Sequence, residues 1–170
     1  MAMTSSTALL LLPWLAVAAA VGSGVLAGLL FVFSNVVMRV LRELPDATGM
    51  HAMQRVNVVI VNPLFLLFFL GTALLSIAIV VLAASAPGAA RAWLWGAAAC
   101  YLLGVVGVTM ACNVPLNNML ARTAASNAGE VWPGYVARWL RWNHVRVVFA
   151  VLAVAAWAAA LFELGRAAVR

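Results

Sequence analysis

The sequence predicts an all-α integral membrane protein, an up-down bundle of four helices, and three observations predict it. Of 170 residues, 67% are hydrophobic and 8% charged, with a mean hydropathy of +1.11; soluble domains carry roughly 45–50% apolar and about 25% charged residues. Charges are absent over residues 1–38, 56–90 and 92–121, and a fourth gap covers 147–162. A helix needs about 20 apolar residues to cross a hydrocarbon core roughly 30 Å thick, so these gaps read as spans. The connections between them are short, which makes successive helices antiparallel neighbours.

The first span covers about residues 8–37. Its apolar run exceeds the roughly 7–15 residues of a signal peptide and no basic segment precedes it, so it reads as a retained span. Gly24-x-x-x-Gly28 has the small-residue spacing that lets membrane helices approach closely, and an oligomer packed through that face is compatible with it. Leu44-Pro45-Asp46-Ala47-Thr48-Gly49 makes a turn, with Asp46 or Thr48 placed to cap the next helix. The second span covers about 56–84 and is interrupted early by Asn62-Pro63; Ser85-Ala86-Pro87-Gly88 turns the chain back. The third covers about 92–117, with Pro115 in its last part. A polar connection from 123 to 134 closes on Pro133-Gly134, and a short Arg/Trp-rich stretch leads into a fourth span over about 145–164. Residues 1–170 read as one domain with no soluble appendage and no tandem repeat.

Charge and cysteine usage narrow the partners. The net charge of +6 comes from ten Arg, no Lys and four acids. In a soluble chain that balance suggests nucleic acid. Here the arginines sit at span ends without a basic tail, so no nucleic-acid partner is expected; the lipid bilayer and a small hydrophobic molecule are. Cys100 and Cys112 lie twelve residues apart in one span, about 18 Å along a helix, and cannot pair within it. The first and third connections hold Arg39, Arg42, Arg55, Arg122, Arg138, Arg141 and Arg146, whereas Arg91, Arg166 and Arg170 lie at the other face as interface anchors. The positive-inside rule therefore places connections 1–2 and 3–4 in the cytoplasm and both termini outside. Usage rich in Ala and Arg without Lys suggests a bacterium with a GC-rich genome, hence a plasma membrane.

The uncharged polar residues collect at one face. Ser34, Asn35 and Arg39 end the first span; His51, Gln54, Arg55, Asn57 and Asn62 begin the second; Thr109, Asn113, Asn117 and Asn118 end the third; Trp139, Trp142, Asn143, His144 and Arg146 enter the fourth. In an antiparallel bundle all four groups share one depth, forming a polar crown. Asn113 and Asn117 share a helix face at i, i+4, and Trp139, Asn143 and Arg146 follow i, i+4, i+7 as one stripe. Only 16 uncharged residues, about 24 Å of helix, separate Arg146 from Glu163. Glu163 can reach the interface and pair with Arg166 at i+3, which leaves Arg146 at or inside the hydrocarbon boundary. An ionisable side chain there is a functional-site hypothesis by default.

Structural readings compete. Trp14, Trp93, Trp95 and Trp132 suit an interfacial aromatic belt, and Trp157 suits packing. Asn62-Pro63 and Asn113-x-Pro115 suit amides that satisfy carbonyls freed by each proline. Metal spacings such as His-x-x-x-His or Cys-x-x-Cys, a phosphate loop and Gly-x-Ser-x-Gly are all missing. What remains is a dry chamber with amide donors, imidazoles, an arginine and aromatic walls, suited to a planar phenolic or ketonic molecule. Imidazole can take a proton near neutral pH, while amides and guanidinium stabilise an oxyanion.

The chain resembles the anthrone oxygenase family of small four-helix membrane proteins over about residues 22–165. The matching pieces are Phe31-x-Phe33-x-Asn35 with the following Leu-Pro turn, Met53-x-x-x-Asn57-x-x-x-x-Asn62-Pro63, Asn113-Val114-Pro115-Leu116-Asn117 and Trp139-x-x-Trp142-Asn143-His144-x-Arg146. The resemblance implies oxidation of a hydrophobic aromatic substrate by O2, as fungal members oxidise anthrones to anthraquinones, without a conventional organic cofactor. It implies catalytic roles for His144 as base and for Arg146, Asn113 and Asn117 in holding the enolate. Asn57 and Asn62 then orient the substrate, Trp139 and Trp142 stack on it, Asn143 and Asn35 complete the binding surface, and His51 is the alternative base.

Two other classes stay open. The crown can serve a metal- or haem-binding redox protein, with His51 and His144 as axial ligands if they face each other. It can also belong to a non-catalytic subunit that binds lipid or a partner.

Overall fold

A computed structural model describes residues 5–169, and the side chains of 10–169. Five helices account for nearly all of it. Helix α1 is α-helical over Ser5–Val32, passes through a π-helical turn at Phe33–Val37 and resumes over Met38–Glu43. Helix α2 covers Asp46–Val59 and α3 covers Pro63–Leu82. Helix α4 is α-helical over Gly88–Ala99, π-helical over Cys100–Gly107 and Thr109–Asn113, and α-helical again over Val114–Ala121. Helix α5 runs unbroken over Ala128–Ala168. Four of these stretches, Leu10–Glu43, Pro63–Ser85, Gly88–Ala121 and Ala125–Ala168, are long and apolar enough to span a bilayer, so the chain is an integral membrane protein of the bundle type.

Local sequence explains the boundaries. The N-cap of α2 falls on Pro45, not on Asp46 or Thr48; Asp46 sits in the first turn, where a carboxylate meets the positive end of the helix dipole. Asn62 caps α3, its Oδ1 accepting from Phe65 N–H at 3.0 Å while its Nδ2 donates to the Val59 carbonyl at 3.1 Å. Pro63 follows as the first helical residue, where its missing N–H costs nothing.

The connection expected over 123–134 is much shorter in the molecule, because α5 begins at Ala128 and carries Pro133 inside it. A continuous stripe explains this: Trp132, Tyr135, Val136, Trp139, Asn143, Arg146 and Ala150 are all buried at helical spacing. That packing outweighs the Pro-Gly break. With 41 residues, α5 reaches about 60 Å, roughly twice a hydrocarbon core. Trp132, expected at the interface, is 1% exposed and stacks on Tyr135 at 5.6 Å.

Two cores result. One fills the membrane-spanning body with Leu26, Leu30, Phe69, Tyr101, Val105 and Trp157 among its members. Trp157 packs there as expected, donating Nε1–H to Ser23 Oγ at 3.3 Å. The second joins the end of α1, α2, the end of α4 and the first half of α5, through Met38, Met50, Met53, Leu120, Trp132 and Trp139. Gln54 on α2 ties this cap to α4 by donating to the Leu120 and Thr123 carbonyls at 2.8 and 3.2 Å. At the far end Glu163 and Arg166 pair at 3.1 Å, as the i, i+3 spacing predicts. Arg170 lies outside the described residues. Gly24 is half-buried with Val154 of α5 as its nearest neighbour, whereas Gly28 is exposed and faces open space.

Candidate functional site

Where the two cores meet, the bundle forms a partly open cavity of about 140 Å³. Members of both cores wall it, Leu26, Leu30, Phe69 and Val105 from one and Met53 and Trp139 from the other. Its polar lining comes from three helices: Asn57 of α2, Thr109, Asn113 and Asn117 of α4, and Arg146 of α5. Val61, in the break between α2 and α3, lines it and is 61% exposed, so the cavity reaches the protein surface there.

Arg146 organises the site. It is 7% exposed and has no acidic partner; among the described residues the ion pair is Glu163–Arg166. Neutral acceptors hold it instead. Nη2 donates to Asn143 Oδ1 at 2.6 Å and Nη1 to Thr109 Oγ1 at 3.1 Å, while the guanidinium carbon lies 5.4 Å from the Trp139 ring centroid. Burying an unpaired cation costs several kcal/mol, so this arrangement favours any anion that enters. The Arg146 Nε–H has no partner.

A second layer fixes the first. Asn143 Nδ2 donates to the Leu30 carbonyl at 2.8 Å and to Ser34 Oγ at 2.7 Å, anchoring the Arg146 clamp to α1. Ser34 lies in the π-helical turn at Phe33–Val37, which Leu30 precedes, and Thr109 opens the π-helical segment Thr109–Asn113 of α4. Such wide turns recur at functional sites because they redirect side chains. Thr109 Oγ1 passes its own hydrogen to the Val105 carbonyl at 2.7 Å. Asn117 Oδ1 accepts from Tyr135 OH at 2.9 Å and from Trp139 Nε1 at 3.1 Å, setting the indole that carries the cation. Asn113 donates Nδ2–H to the Trp139 carbonyl at 3.4 Å, which leaves its Oδ1 without a partner; Asn57 Nδ2 is likewise unpartnered.

Of the residues expected in the crown site, the cavity gathers Asn57, Asn113, Asn117, Trp139 and Arg146, with Asn143 directly behind. The others do not reach it. His144 and Trp142 flank Asn143 in sequence, and about 100° of helix rotation per residue carries both outward to exposed positions. His144 therefore does not contact the cavity as a base. His51 is exposed beside the buried Met50. Asn35 is exposed and donates to its own Phe31 carbonyl at 3.0 Å, and Asn62 is used up as a cap. Tyr135 joins the site through Asn117 without belonging to the expected crown, and its position four residues before Trp139 is the signal that marks it. Ser34 and Thr109 belong to the crown but carried no assigned role. Among the described residues, no group of three or more His, Cys, Asp or Glu side chains is arranged to hold a metal ion.

A buried guanidinium without a counter-ion, set among amides and aromatic walls, defines a polar site embedded in a membrane bundle. The family model for anthrone oxygenase matches residues 64–156, from the start of α3 to within α5, and the chain belongs to that family. The matched segment contains Thr109, Asn113, Asn117, Trp139, Asn143 and Arg146. No curated protein and no solved structure matches the chain.

Proposed function

We propose that this protein is a quinone-forming oxygenase, acting with O2 on a planar phenol or its keto tautomer bound in the crown cavity. The observation that carries the reading is Arg146, a buried cation compensated only by Asn143, Thr109 and the Trp139 face. A phenolate or enolate oxygen supplies the missing negative charge. Its formation raises the electron density of the ring carbon para to that oxygen, where O2 reacts. The carbon loses its hydrogens and gains one oxygen atom as a carbonyl. The second oxygen atom leaves as water, so four electrons pass from ring to O2.

Arg146 and Asn57 donate to the substrate oxygen, and Trp139 stacks on the ring. The preorganised donors act in a water-poor site, where they are worth most. Arg146 is the ionisable residue among the lining side chains, so the substrate proton leaves to water instead of to an imidazole. The apolar wall of Leu26, Leu30 and Val105 gives O2 a place beside the ring.

The orientation in a bacterial plasma membrane with the crown facing the cytoplasm is part of the same proposal. Its support is that Arg39, Arg42, Arg55, Arg122, Arg138 and Arg141 are all exposed at the crown end, leaving only Arg146 of the seven turned inward.

The test is oxygen uptake by purified protein in nanodiscs with a panel of phenols and aryl ketones, anthrone included. The expected result is one quinone formed per O2 consumed with no hydrogen peroxide released. Peroxide in equal amount to product, or no uptake with any member, overturns the reading.

A further inference from the structure

The mouth of the cavity lies beside Val61, which alone is exposed among the described residues that line it. On the cap side the cavity ends on Met53 and Trp139, both buried in the cap core. What surrounds the mouth is aliphatic. Val58, Val59, Val61 and Leu64 are each at least 60% exposed, and no charge occurs between Arg55 and Arg91. In a membrane bundle, aliphatic side chains left exposed together mark contact with lipid. Helix α3 starts just past the mouth at Pro63, and its 20 residues span about 30 Å, the thickness of the hydrocarbon core. The mouth therefore lies at the edge of the hydrocarbon.

The break between α2 and α3 is built for that solvent. Water can satisfy the open backbone groups of a loop, whereas lipid cannot. Here Ile60 N–H donates to the Val56 carbonyl at 2.9 Å, Val61 N–H to the Val58 carbonyl at 3.4 Å and Asn62 N–H to the Ile60 carbonyl at 2.9 Å. Pro63 has no N–H, and both ends of the Asn62 amide are spent on Val59 and Phe65. The segment satisfies its own donors and turns aliphatic side chains outward.

We infer that the cavity is loaded from the bilayer through this mouth, and that its ligand is a neutral molecule dissolved in the membrane instead of a water-soluble anion. A charged group is strongly disfavoured in hydrocarbon, so the ligand arrives protonated and acquires its negative charge only beside Arg146. The inference rests on the cavity being the substrate site of the proposed oxygenase.

The test compares 6-hydroxy-2-naphthamide with 6-hydroxy-2-naphthoate, matched in shape and differing by one negative charge. Stopped-flow quenching of tryptophan fluorescence follows their binding to the full chain in nanodiscs, with empty nanodiscs subtracted. The naphthamide is expected to load saturably, and the naphthoate at least about tenfold more slowly or not at all. A mouth open to water predicts the reverse, since Arg146 favours the anion. Naphthoate loading as fast as naphthamide overturns the inference and leaves the oxygenase reading standing. Val61→Trp narrows the mouth and is expected to slow naphthamide loading and release together, with Kd unchanged. Loading at the wild-type rate by folded Val61→Trp places the entrance elsewhere and also overturns the inference. A change confined to release marks Val61 as an ordinary contact, with the same consequence. Absence of binding by both compounds overturns this inference and the reading beneath it. The wild-type comparison of the two ligands decides the matter should Val61→Trp fail to fold.

Discussion

Arg146 Nη2 donates to Asn143 Oδ1 at 2.6 Å, and Asn143 in turn hands both its amide hydrogens to α1, at Leu30 and Ser34. One asparagine thus couples the buried cation to a different helix. Asn143→Ala removes that coupling and leaves one guanidinium arm without its acceptor. The expected loss is about 1–3 kcal/mol of stability, read as a lower melting temperature in detergent, together with reduced turnover. Unchanged stability and turnover mean that the clamp is incidental.

The histidines separate the sequence-based mechanism from the structural one. His144 and His51 are exposed and line no part of the cavity. His144→Ala, His51→Ala and the double variant are each expected to retain wild-type oxygen uptake within about twofold, because general acid–base groups contribute about 10²–10⁴ only when they touch the reacting atoms. A hundredfold loss in folded His144→Ala restores the imidazole as base.

The contrast between Arg146 and His144 shows what the sequence made legible. The spans were readable because charge is excluded from hydrocarbon, and Arg146 stood out because 16 uncharged residues are too few to carry it clear of the membrane. Its stripe with Trp139 and Asn143 followed from helical spacing alone. The roles expected of His144 and Trp142 came from the family motif Trp142-Asn143-His144-x-Arg146, whose consecutive residues point in different directions on a helix. The early start of α5 was hidden by Pro133-Gly134, although Trp132, Tyr135 and Trp139 already continued the stripe through it. The π-helical turns in α1 and α4 have no residue signature in this chain, so the aim of Thr109 and the acceptors for Asn143 were visible only in three dimensions.

Close approach of α4 and α5 depends on Gly104. A Cβ added there overlaps Cβ and Cγ of Phe149, atoms near the α5 backbone that cannot swing away. Gly104→Ala therefore destabilises by about 1–3 kcal/mol through overpacking, despite a helix propensity gain of about 1 kcal/mol. Gly104→Ala combined with Phe149→Gly, which removes both overlapping atoms, is expected to cost less than the two single changes summed, a coupling that thermal unfolding of all four proteins measures. Strict additivity contradicts the contact.

The most direct measurement is the rate of O2-dependent quinone formation by Arg146→Met, with folding verified by its melting transition. Methionine keeps much of the apolar stem and removes the charge that the cavity leaves uncompensated. Loss of an oxyanion-stabilising donor costs about 10²–10³ in turnover, and a fall of that size in folded protein is the predicted result. Turnover within about twofold of the wild type contradicts an anionic intermediate held by Arg146.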